Sequence, residues 1–287
     1  MARYAVMWSG GKDSALALRR ALRRGLEVAA LLNVIDEGSR RVRFHATRAE
    51  LIAAQASALD IPLRQIATSW TNFESSFRTG LAALAAEGFE GVIFGDIHLA
   101  DVRAWYEDRV RAAGLEHIEP LWGEASDAVV RDFVDGGGRA VVTCVELRRL
   151  DASWLGRVID HGFPDAIAAT GVDPCGENGE YHSFAFDGPP FRSIVPWAPA
   201  ATHEEQGFLQ LDLADPVEVV ADDTVSVNYE LFDDTVAARP KAWGALAAQG
   251  VISYRARTGR PPDDVARRAI WAALWKRVEA ARANRTR

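Results

Sequence analysis

The most informative stretch of this chain reads Tyr4-Ala5-Val6-Met7-Trp8-Ser9-Gly10-Gly11-Lys12-Asp13-Ser14. The apolar run at 4–8 predicts a buried strand, and the residues that follow Ser14 predict a helix. Two glycines at such a junction let backbone N–H groups approach an anion with no Cβ in the way. The helix end and Lys12 add positive charge, while Ser9 and Ser14 add hydroxyl donors. The stretch therefore predicts a cradle for phosphates.

Asp13 is unexpected in an anion cradle unless a metal ion accompanies the phosphates. Mg²⁺ is usually held by one or two carboxylates together with phosphate oxygens, so the loop indicates a nucleotide with Mg²⁺. Its spacing is neither the G-x-x-x-x-G-K-[ST] loop nor the G-x-G-x-x-G fingerprint. The alternative is an ordinary Gly-Gly turn in which Asp13 and Ser14 cap the helix. Against it, only Lys12, Lys241 and Lys276 of the 33 basic residues are lysines, and a compact ammonium suits a phosphate well.

Composition argues against several classes of protein. With 287 residues and 48% hydrophobic content, the chain is long enough for one large or two medium domains. It has no apolar run of about 18 residues that would predict a membrane span, and no pattern typical of a signal peptide. Cys144 and Cys175 do not make a disulfide framework, which favours a cytoplasmic location. The net charge of −7 argues against a nucleic acid partner.

Up to about residue 147 the chain alternates short β-branched runs with longer segments rich in Ala, Leu and Arg. We expect strands at 3–8, 27–34, 62–67, 91–95, 116–121 and 139–145. We expect helices near 13–24, 47–59, 72–87, 99–113 and 125–135. Such alternation predicts an α/β fold with a Rossmann-like, mostly parallel sheet and helices on both faces.

The rhythm changes after residue 150. Residues 160–197 are rich in Gly and Pro, which predicts irregular loops that carry function. Short strands and turns are expected at 205–235, and a terminal helix from Pro261 with an apolar face that includes its tryptophans. The sequence thus predicts a nucleotide-binding domain at 1–147, a smaller loop-rich subdomain at 148–199 and a C-terminal extension at 200–287 that ends in a helix.

Charge is distributed unevenly in that extension. Residues 201–238 carry ten carboxylates and no Lys or Arg, whereas 255–287 carry ten basic groups and three acidic ones. We expect the two segments to pair with each other, within one chain or across a homodimer. The alternative is a basic tail that binds a partner.

Two clusters follow predicted strands. Arg43-Phe44-His45-Ala46-Thr47-Arg48 opens a predicted helix and places His45 and Arg48 three residues apart on one face. This pattern suits contact with a phosphate or a substrate carboxylate, and an ordinary helix start is the alternative.

Gly95 and Asp96 form the second cluster, at the end of the predicted strand 91–95. Ligands of parallel sheets bind beyond the carboxyl ends of the strands, so Ser9 and Asp96 should lie on the same rim. An Asp at that position suits Mg²⁺ or a nucleotide better than it suits packing.

A third cluster reads Asp173-Pro174-Cys175-Gly176-Glu177-Asn178-Gly179-Glu180-Tyr181-His182-Ser183-Phe184. It concentrates two Glu, an Asn, a Tyr and a His between glycines, which loops built only for connection seldom do. Carboxylates here suit the orientation of ammonia or a basic role while an amide forms. A turn-rich surface hairpin is the alternative.

Taken together, these motifs resemble the diphthine–ammonia ligase family of PP-loop ATP pyrophosphatases. The shared stretches, in the family's order, are Ser9-Gly10-Gly11-Lys12-Asp13-Ser14, Phe44-His45, Phe94-Gly95-Asp96-Ile97, Pro120-Leu121-Trp122 and Gly176-Glu177-Asn178-Gly179-Glu180-Tyr181-His182. The resemblance implies an adenine nucleotide alpha-hydrolase-like fold. It also implies that ATP converts a substrate carboxylate into an acyl-adenylate with release of pyrophosphate, after which ammonia displaces AMP.

The resemblance assigns roles to the candidate residues. The expected ATP contacts are Ser9, Gly10, Gly11, Lys12, Asp13, Ser14, His45, Gly95 and Asp96. Asp13 and Asp96 are the expected Mg²⁺ contacts, and Lys12 would offset developing charge. The expected catalytic residues are Lys12, Asp13, Glu177, Glu180 and His182.

The expected substrates are ATP, ammonia and a carboxylate, which is either diphthine on translation elongation factor 2 or a small molecule. Residues 200–287 match nothing in the family's eukaryotic extension. Two alternatives stay open: a PP-loop enzyme that modifies tRNA, supported only by the basic tail, and a nucleotide-binding protein without turnover.

Overall fold

The fold was analysed in a computed structural model, which describes residues 2–42, 45, 47–69, 71–214, 247, 248, 250–252, 254, 262, 267, 268, 270–272, 274 and 275. The chain divides into two compact units. The first comprises Met1–Val195 and Thr202–Asp212, and the second comprises Pro196–Ala201 and Leu213–Arg287. The candidate site lies within the first unit.

A parallel sheet of five strands forms the first half of that unit. Its strands are β1 (Arg3–Met7), β2 (Glu27–Asp36), β3 (Leu63–Thr68), β4 (Phe89–Ile93) and β5 (Glu116–Ile118), in the spatial order β3-β2-β1-β4-β5. The helices that follow these strands are α1 (Lys12–Arg23), α2 (Ala49–Leu59), α3 (Phe73–Ala86), α4 (Ala100–Ala112) and α5 (Ser126–Asp135). The expected α/β, Rossmann-like architecture is confirmed.

Side-chain alternation along the strands builds a core on each face of this sheet. Val6 packs in one cluster with residues of α1, α2 and α5, while its neighbour Ala5 packs in a second cluster with residues of α3 and α4. Successive side chains of a strand point to opposite faces, so one apolar run serves both cores. This covering of both faces leaves the carboxyl ends of the strands as the open rim.

A second, antiparallel sheet follows. Its strands are β6 (Arg139–Glu146), β7 (Val158–Ile159), β8 (Tyr181–Asp187), β9 (Ala198–Glu205) and β10 (Phe208–Ala214), and β6 pairs with β7, β8 and β10. The expectation that 139–145 extends the parallel sheet is wrong. A fully buried strand is an apolar run whatever the direction of its neighbours, so the pattern could not reveal antiparallel pairing.

The expectation of irregular structure throughout 160–197 is also wrong. A short helix, α6 (Phe163–Ala168), and the strand β8 both fall in this range. Side chains on both faces of β8 are mostly buried. The strand therefore lacks the alternation of polar and apolar residues that would identify it. The glycines and prolines around it belong to the turns at its ends.

The end of β9 and the strand β10 confirm the strands expected from residue 205 up to 214, and residues 215–246 lie outside the described part. Of the expected terminal helix, the described residues between 267 and 275 are helical. Ile270 and Leu274 are buried there, but Trp271 and Trp275 are each 41% exposed, so the tryptophans do not share the buried face.

The basic tail beyond residue 275 and most of the acidic segment lie outside the described residues, so their pairing stays a prediction. The domain boundaries at 147 and 199 likewise stay predictions. Among the described residues, no helix combines the length and the apolar character that crossing a membrane requires.

Candidate active site

The Gly10 backbone gives the loop after β1 its shape. Its φ is +84°, a left-handed conformation, and a Cβ on it would lie 2.6 Å from Ile52 Cδ1. The side-chain amide of Gln55 donates to the Gly10 carbonyl (2.9 Å) and to the Ala185 carbonyl (2.7 Å), and its oxygen accepts from Trp8 Nε1 (2.8 Å). One buried glutamine therefore ties the loop to β8.

Hydroxyl groups complete the turn into α1. Ser14 Oγ donates to the Gly11 carbonyl (2.9 Å), and Ser9 Oγ accepts from the Gly11 N–H (3.3 Å). Gly11 is the N-cap residue and has no side chain to cap the helix, so the first turn of α1 receives a partner from elsewhere: Ser183 Oγ accepts from the Lys12 N–H (3.2 Å). The turn is thus held partly by the second sheet.

Gly95 lets the end of β4 approach α1. A Cβ at Gly95 would lie 3.0 Å from the carbonyl carbon and oxygen of Asp13 and 3.1 Å from the Ser14 nitrogen. Asp96, the next residue, therefore comes to the same rim as the loop, as the strand order predicts.

The loop, the end of β4 and the 176–182 segment meet at one pocket. Seven of the predicted site residues line it: Ser9, Asp13, Ser14, His45, Gly95, Asp96 and Glu177. Five predicted residues are not among its lining residues: Gly10, Gly11, Lys12, Glu180 and His182.

Three carboxylates, Asp13, Asp96 and Glu177, give the pocket an acidic character. Burial, and then the charge of Asp13, raise the pKa of Asp96 to about 6 and that of Glu177 to about 7. Burial also raises the pKa of Asp13, although Lys12 opposes this. Each of these carboxylates would be stabilised by a cation in the pocket.

The donor set fits Mg²⁺. Asp13 Oδ1 is buried and meets no hydrogen-bond donor among the described residues, and Asp96 offers a second hard oxygen ligand beside it. In the described part of the chain, no three His, Cys, Asp or Glu side chains are arranged to hold a metal ion by themselves. A site of two carboxylates completed by phosphate oxygens and water is the arrangement that Mg²⁺ prefers.

Lys12 is not among the residues that line the pocket. It is only 2% exposed, and its Nζ donates to Asp13 Oδ2 (2.8 Å) and to the Cys175 carbonyl oxygen. Burial lowers the pKa of Lys12, but Asp13 and its other neighbours outweigh this and hold the pKa well above its usual value. In this conformation Lys12 holds Asp13 in place, and its contact with a phosphate stays a prediction.

Glu180 organises the loop that carries Glu177. It is 1% exposed, and its carboxylate accepts from the backbone N–H of Asn178 (3.0 Å) and of Asp173 (3.3 Å) and from Arg149 Nη1 (3.1 Å). Its partners are all protein groups in this loop and beside it, and its catalytic role stays a prediction. Glu177, by contrast, accepts from the Ile97 N–H (2.8 Å), which joins this loop to the segment after β4.

His45 and His182 face each other with ring centroids 4.6 Å apart. Burial, and then the charge of Lys12, lower the pKa of His182 to about 4. Burial, the second imidazole and Lys12 lower the pKa of His45 well below its usual value. Both rings are therefore neutral at pH 7, and His45 presents an uncharged face to the pocket.

The rest of the pocket wall escaped the sequence analysis. It consists mainly of apolar and aromatic side chains together with Asn33: Met7, Trp8, Asn33, Val34, Val42, Phe73, Phe94 and Tyr106. The Asn33 side chain donates to the Trp8 carbonyl (2.7 Å) and is fully buried in β2. A polar residue inside an apolar strand was the available signal for it, whereas Phe73 and Tyr106 lie on helices and gave none.

Sequence comparison gives two matches to known domain families. The profile of the diphthamide synthase N-terminal domain matches residues 2–117, and that of the diphthamide synthase C-terminal domain matches residues 125–215. Together they cover the antiparallel sheet, the parallel sheet except Ile118 at the end of β5, and every residue assigned above to the pocket.

Individual relatives carry the same description. The human diphthine–ammonia ligase is 27% identical over 262 residues, which cover 79% of this chain and 98% of the relative. The bovine diphthine–ammonia ligase is 26% identical over 261 residues with the same coverage. Among solved structures, a predicted subunit of tRNA methyltransferase from Methanocaldococcus jannaschii is similar at 14% identity and a TM-score of 0.39, covering 68% of this chain and 100% of that one.

Proposed function

This chain belongs to the diphthamide synthase family, and on that premise we propose that it joins ammonia to a diphthine-type carboxylate at the expense of ATP. The observation that carries this proposal is the meeting of two motifs in one pocket. Ser9, Asp13 and Ser14 of the first loop and Glu177 of the distant loop line the same cavity. A nucleotide held by the first motif would therefore present its phosphates to the second.

In the first step a carboxylate oxygen of the substrate attacks the α-phosphorus of ATP, and the bond to the bridging oxygen of pyrophosphate breaks. In this proposal the hydroxyls of Ser9 and Ser14, which line the pocket, and the N-terminal end of α1 bind the departing pyrophosphate. The positive end of the α1 dipole favours that charge. Bound Mg²⁺ would supply further charge neutralisation at the phosphate oxygens, and Asp13 and Asp96 are the residues that would hold it.

In the second step ammonia attacks the acyl carbon, and the bond from that carbon to the AMP oxygen breaks. The nitrogen must lose a proton to become an amide. Glu177 is suited to accept it, because its pKa of about 7 is matched to proton transfer near neutral pH. The neutral His45 faces the same pocket and adds no charge that would repel an ammonium ion.

The apolar part of the wall suits the adenine ring. Phe73, Phe94 and Trp8 line this part with Val34 and Val42, and flat apolar surfaces favour a base over a phosphate. We therefore assign the aromatic side chains to the base, and the polar side chains to the phosphates and the acyl group.

The decisive experiment uses a carboxylate labelled with oxygen-18 and supplied with ATP, Mg²⁺ and ammonium. We expect AMP and pyrophosphate as products, with one labelled oxygen transferred to AMP. Label in inorganic phosphate, with ADP as the other product, would rule out adenylation. Two substrates are run in parallel: elongation factor 2 that carries diphthine, and a small trimethylammonium-containing carboxylate of similar shape. Pyrophosphate release with only the small carboxylate would show that elongation factor 2 is not the substrate. Nucleotide binding with no turnover of either substrate would show that the chain is not a ligase.

A further inference from the structure

An ion triplet centred on a buried carboxylate joins the second sheet to the wall of the pocket. Asp212 of β10 has a carboxyl group that is 9% exposed. Its Oδ1 lies 2.8 Å from Arg41 Nη1, and its Oδ2 lies 2.6 Å from Arg48 Nη2. Arg48 Nε also donates to Oδ1 (3.1 Å), so Arg48 binds the carboxylate with two of its nitrogens.

The two arginines are the two ends of one loop. Arg41 and Arg48 form an antiparallel β-bridge, and inside it the Val42 N–H donates to the Thr47 carbonyl (2.7 Å). Val42 and His45 of this loop line the pocket. A group that holds Arg41 and Arg48 together therefore fixes the two ends of the loop that carries Val42 and His45.

Asp212 is suited to that task because it stays ionised. Burial raises its pKa, but the hydrogen bonds and charges of Arg41 and Arg48 outweigh burial and bring the pKa below its usual value. The Asp212 carboxylate is largely shielded from solvent, so its ion pairs are screened less than pairs between two fully exposed side chains.

We propose that Asp212 is a positioning residue of the nucleotide pocket, which acts by clamping the loop between Arg41 and Arg48. This role of Asp212 depends on the proposed function in one respect only: the proposed function identifies ATP as the ligand of the pocket. Asp212 itself is not among the lining residues, so it acts through the two arginines.

The test compares Asp212→Asn with a matched control, Asp132→Asn. Asp132 also bridges two arginines, Arg19 and Arg20, at 2.6 and 2.7 Å, and neither it nor its partners line the pocket. Both variants are measured in the full chain for ATP affinity by calorimetry, for KM and kcat, and for amide hydrogen exchange.

We expect Asp212→Asn to weaken ATP binding and raise KM for ATP roughly 3- to 30-fold, with a smaller change in kcat, and Asp132→Asn to leave both near their original values. Asp212→Glu should recover part of the affinity because it keeps the charge. Equal ATP affinity in the parent and Asp212→Asn, or an equal loss in both variants, would overturn the proposal.

Hydrogen exchange separates this proposal from the proposed function, because it needs no nucleotide. Relative to the parent protein, the exchange rate of the Val42 amide should rise at least about tenfold in Asp212→Asn and stay the same in Asp132→Asn. If the parent protein bound no ATP while Val42 lost protection in Asp212→Asn alone, the proposed function would fail and the clamp would stand as a structural device of this pocket. Unchanged protection of Val42 would overturn the clamp whatever the ligand.

Discussion

The two sheets of the first unit contribute to the site in different ways. The parallel sheet, its helices and the loops that connect them carry all the residues that line the pocket except Glu177, while the antiparallel sheet carries several of the groups that hold them. From β8, Ser183 and Ala185 bind the backbone of the first loop, and from β10, Asp212 binds the arginines that flank the next loop. Most of the chemistry is therefore encoded in the first half of the chain and much of the support in the second, with Glu177 and Gln55 as exceptions. Substitutions of lining residues and of supporting residues should fail in different ways.

The largest effect is expected for Asp96→Asn in the pocket. Loss of this carboxylate should lower kcat/KM roughly 100- to 1,000-fold, because a Mg²⁺ contact and its charge are lost. Stability should hold or rise, since Asp96 is buried beside other carboxylates. Steady-state kinetics and urea unfolding measure the two. Asp101→Asn, an exposed residue in the first turn of α4, is the control. A large loss of stability in Asp96→Asn would break the division between lining residues and supporting residues.

The second effect is expected for Gln55→Leu, a change to the support. It leaves the Trp8 N–H and the Ala185 carbonyl without their buried partner, so unfolding should become easier by about 2 to 4 kcal/mol. ATP affinity should fall with the loosened Gly10 loop. Gln65→Leu, on β3, removes only the long hydrogen bond from Gln65 Nε2 to Asn33 Oδ1 (3.3 Å), so it should destabilise the protein less, by about 1 kcal/mol. Urea unfolding of both variants decides whether Gln55 supports the loop.

The third prediction concerns pH and sharpens the role of Glu177. The amide-forming step should speed up as pH rises through about 7, because only the ionised carboxylate accepts a proton. Glu177→Gln should abolish this rise. A pH–rate profile checks it when ATP is saturating and the concentration of unprotonated ammonia is held constant, because that fraction itself rises with pH. Glu37→Gln, an exposed carboxylate, is the control.

Glu177 should also affect how the free energy of unfolding depends on pH. Its folded pKa of about 7 lies above the usual carboxyl value, so between about pH 4.5 and 7 the folded protein holds the proton more tightly. Glu177 should therefore lower the free energy of unfolding as pH rises through this window, by on the order of 2 kcal/mol. Asp96 acts in the same direction and His182 in the opposite one, so the measurement is the difference between the parent and Glu177→Gln. A difference that stays constant from about pH 4.5 to 7 would contradict the burial of Glu177.

The smallest effect is expected for Ser183→Ala. It removes the acceptor for the Lys12 N–H and should destabilise the protein by about 1 kcal/mol. Because this N–H opens α1, ATP affinity should change by a few-fold. The matched change Ser75→Ala, at an exposed hydroxyl on α3, should leave ATP affinity unaltered. Equal affinities in the two variants would show that β8 does not support the nucleotide end of the pocket.

The sequence predicted the features of the first half of the chain that depend on residues close together in the sequence. Strand and helix alternation, the Gly10-Gly11 junction and Asp96 at a strand end all depend on neighbours in the chain, and the structure has the expected elements there. The 176–182 motif also identified Glu177, because its residue types are unusual for a connection.

The contacts that hold the pocket loops could not be predicted from the sequence, because they join residues that are far apart in the chain. Lys12 and Ser183 are 171 residues apart, and Arg48 and Asp212 are 164 apart, so no periodicity links them. The side-chain direction of Lys12 was equally inaccessible, since a lysine beside a phosphate loop can turn to the ligand or to a neighbouring carboxylate. Only the packing of Tyr181 and Cys175 around it selects the second.

The bond from the Ala185 N–H to the Gly10 carbonyl has a consequence for the growing chain. A ribosome releases the Gly10 loop early, long before it has made the strand that the loop binds. A nascent chain, or a truncation that keeps only residues 2–117, carries the complete motif without the strand that completes its hydrogen bonds. Before β8 is made, the loop keeps only its own hydroxyl contacts and the hydrogen bond from Gln55, so we expect such a chain to bind the nucleotide more weakly than the finished protein.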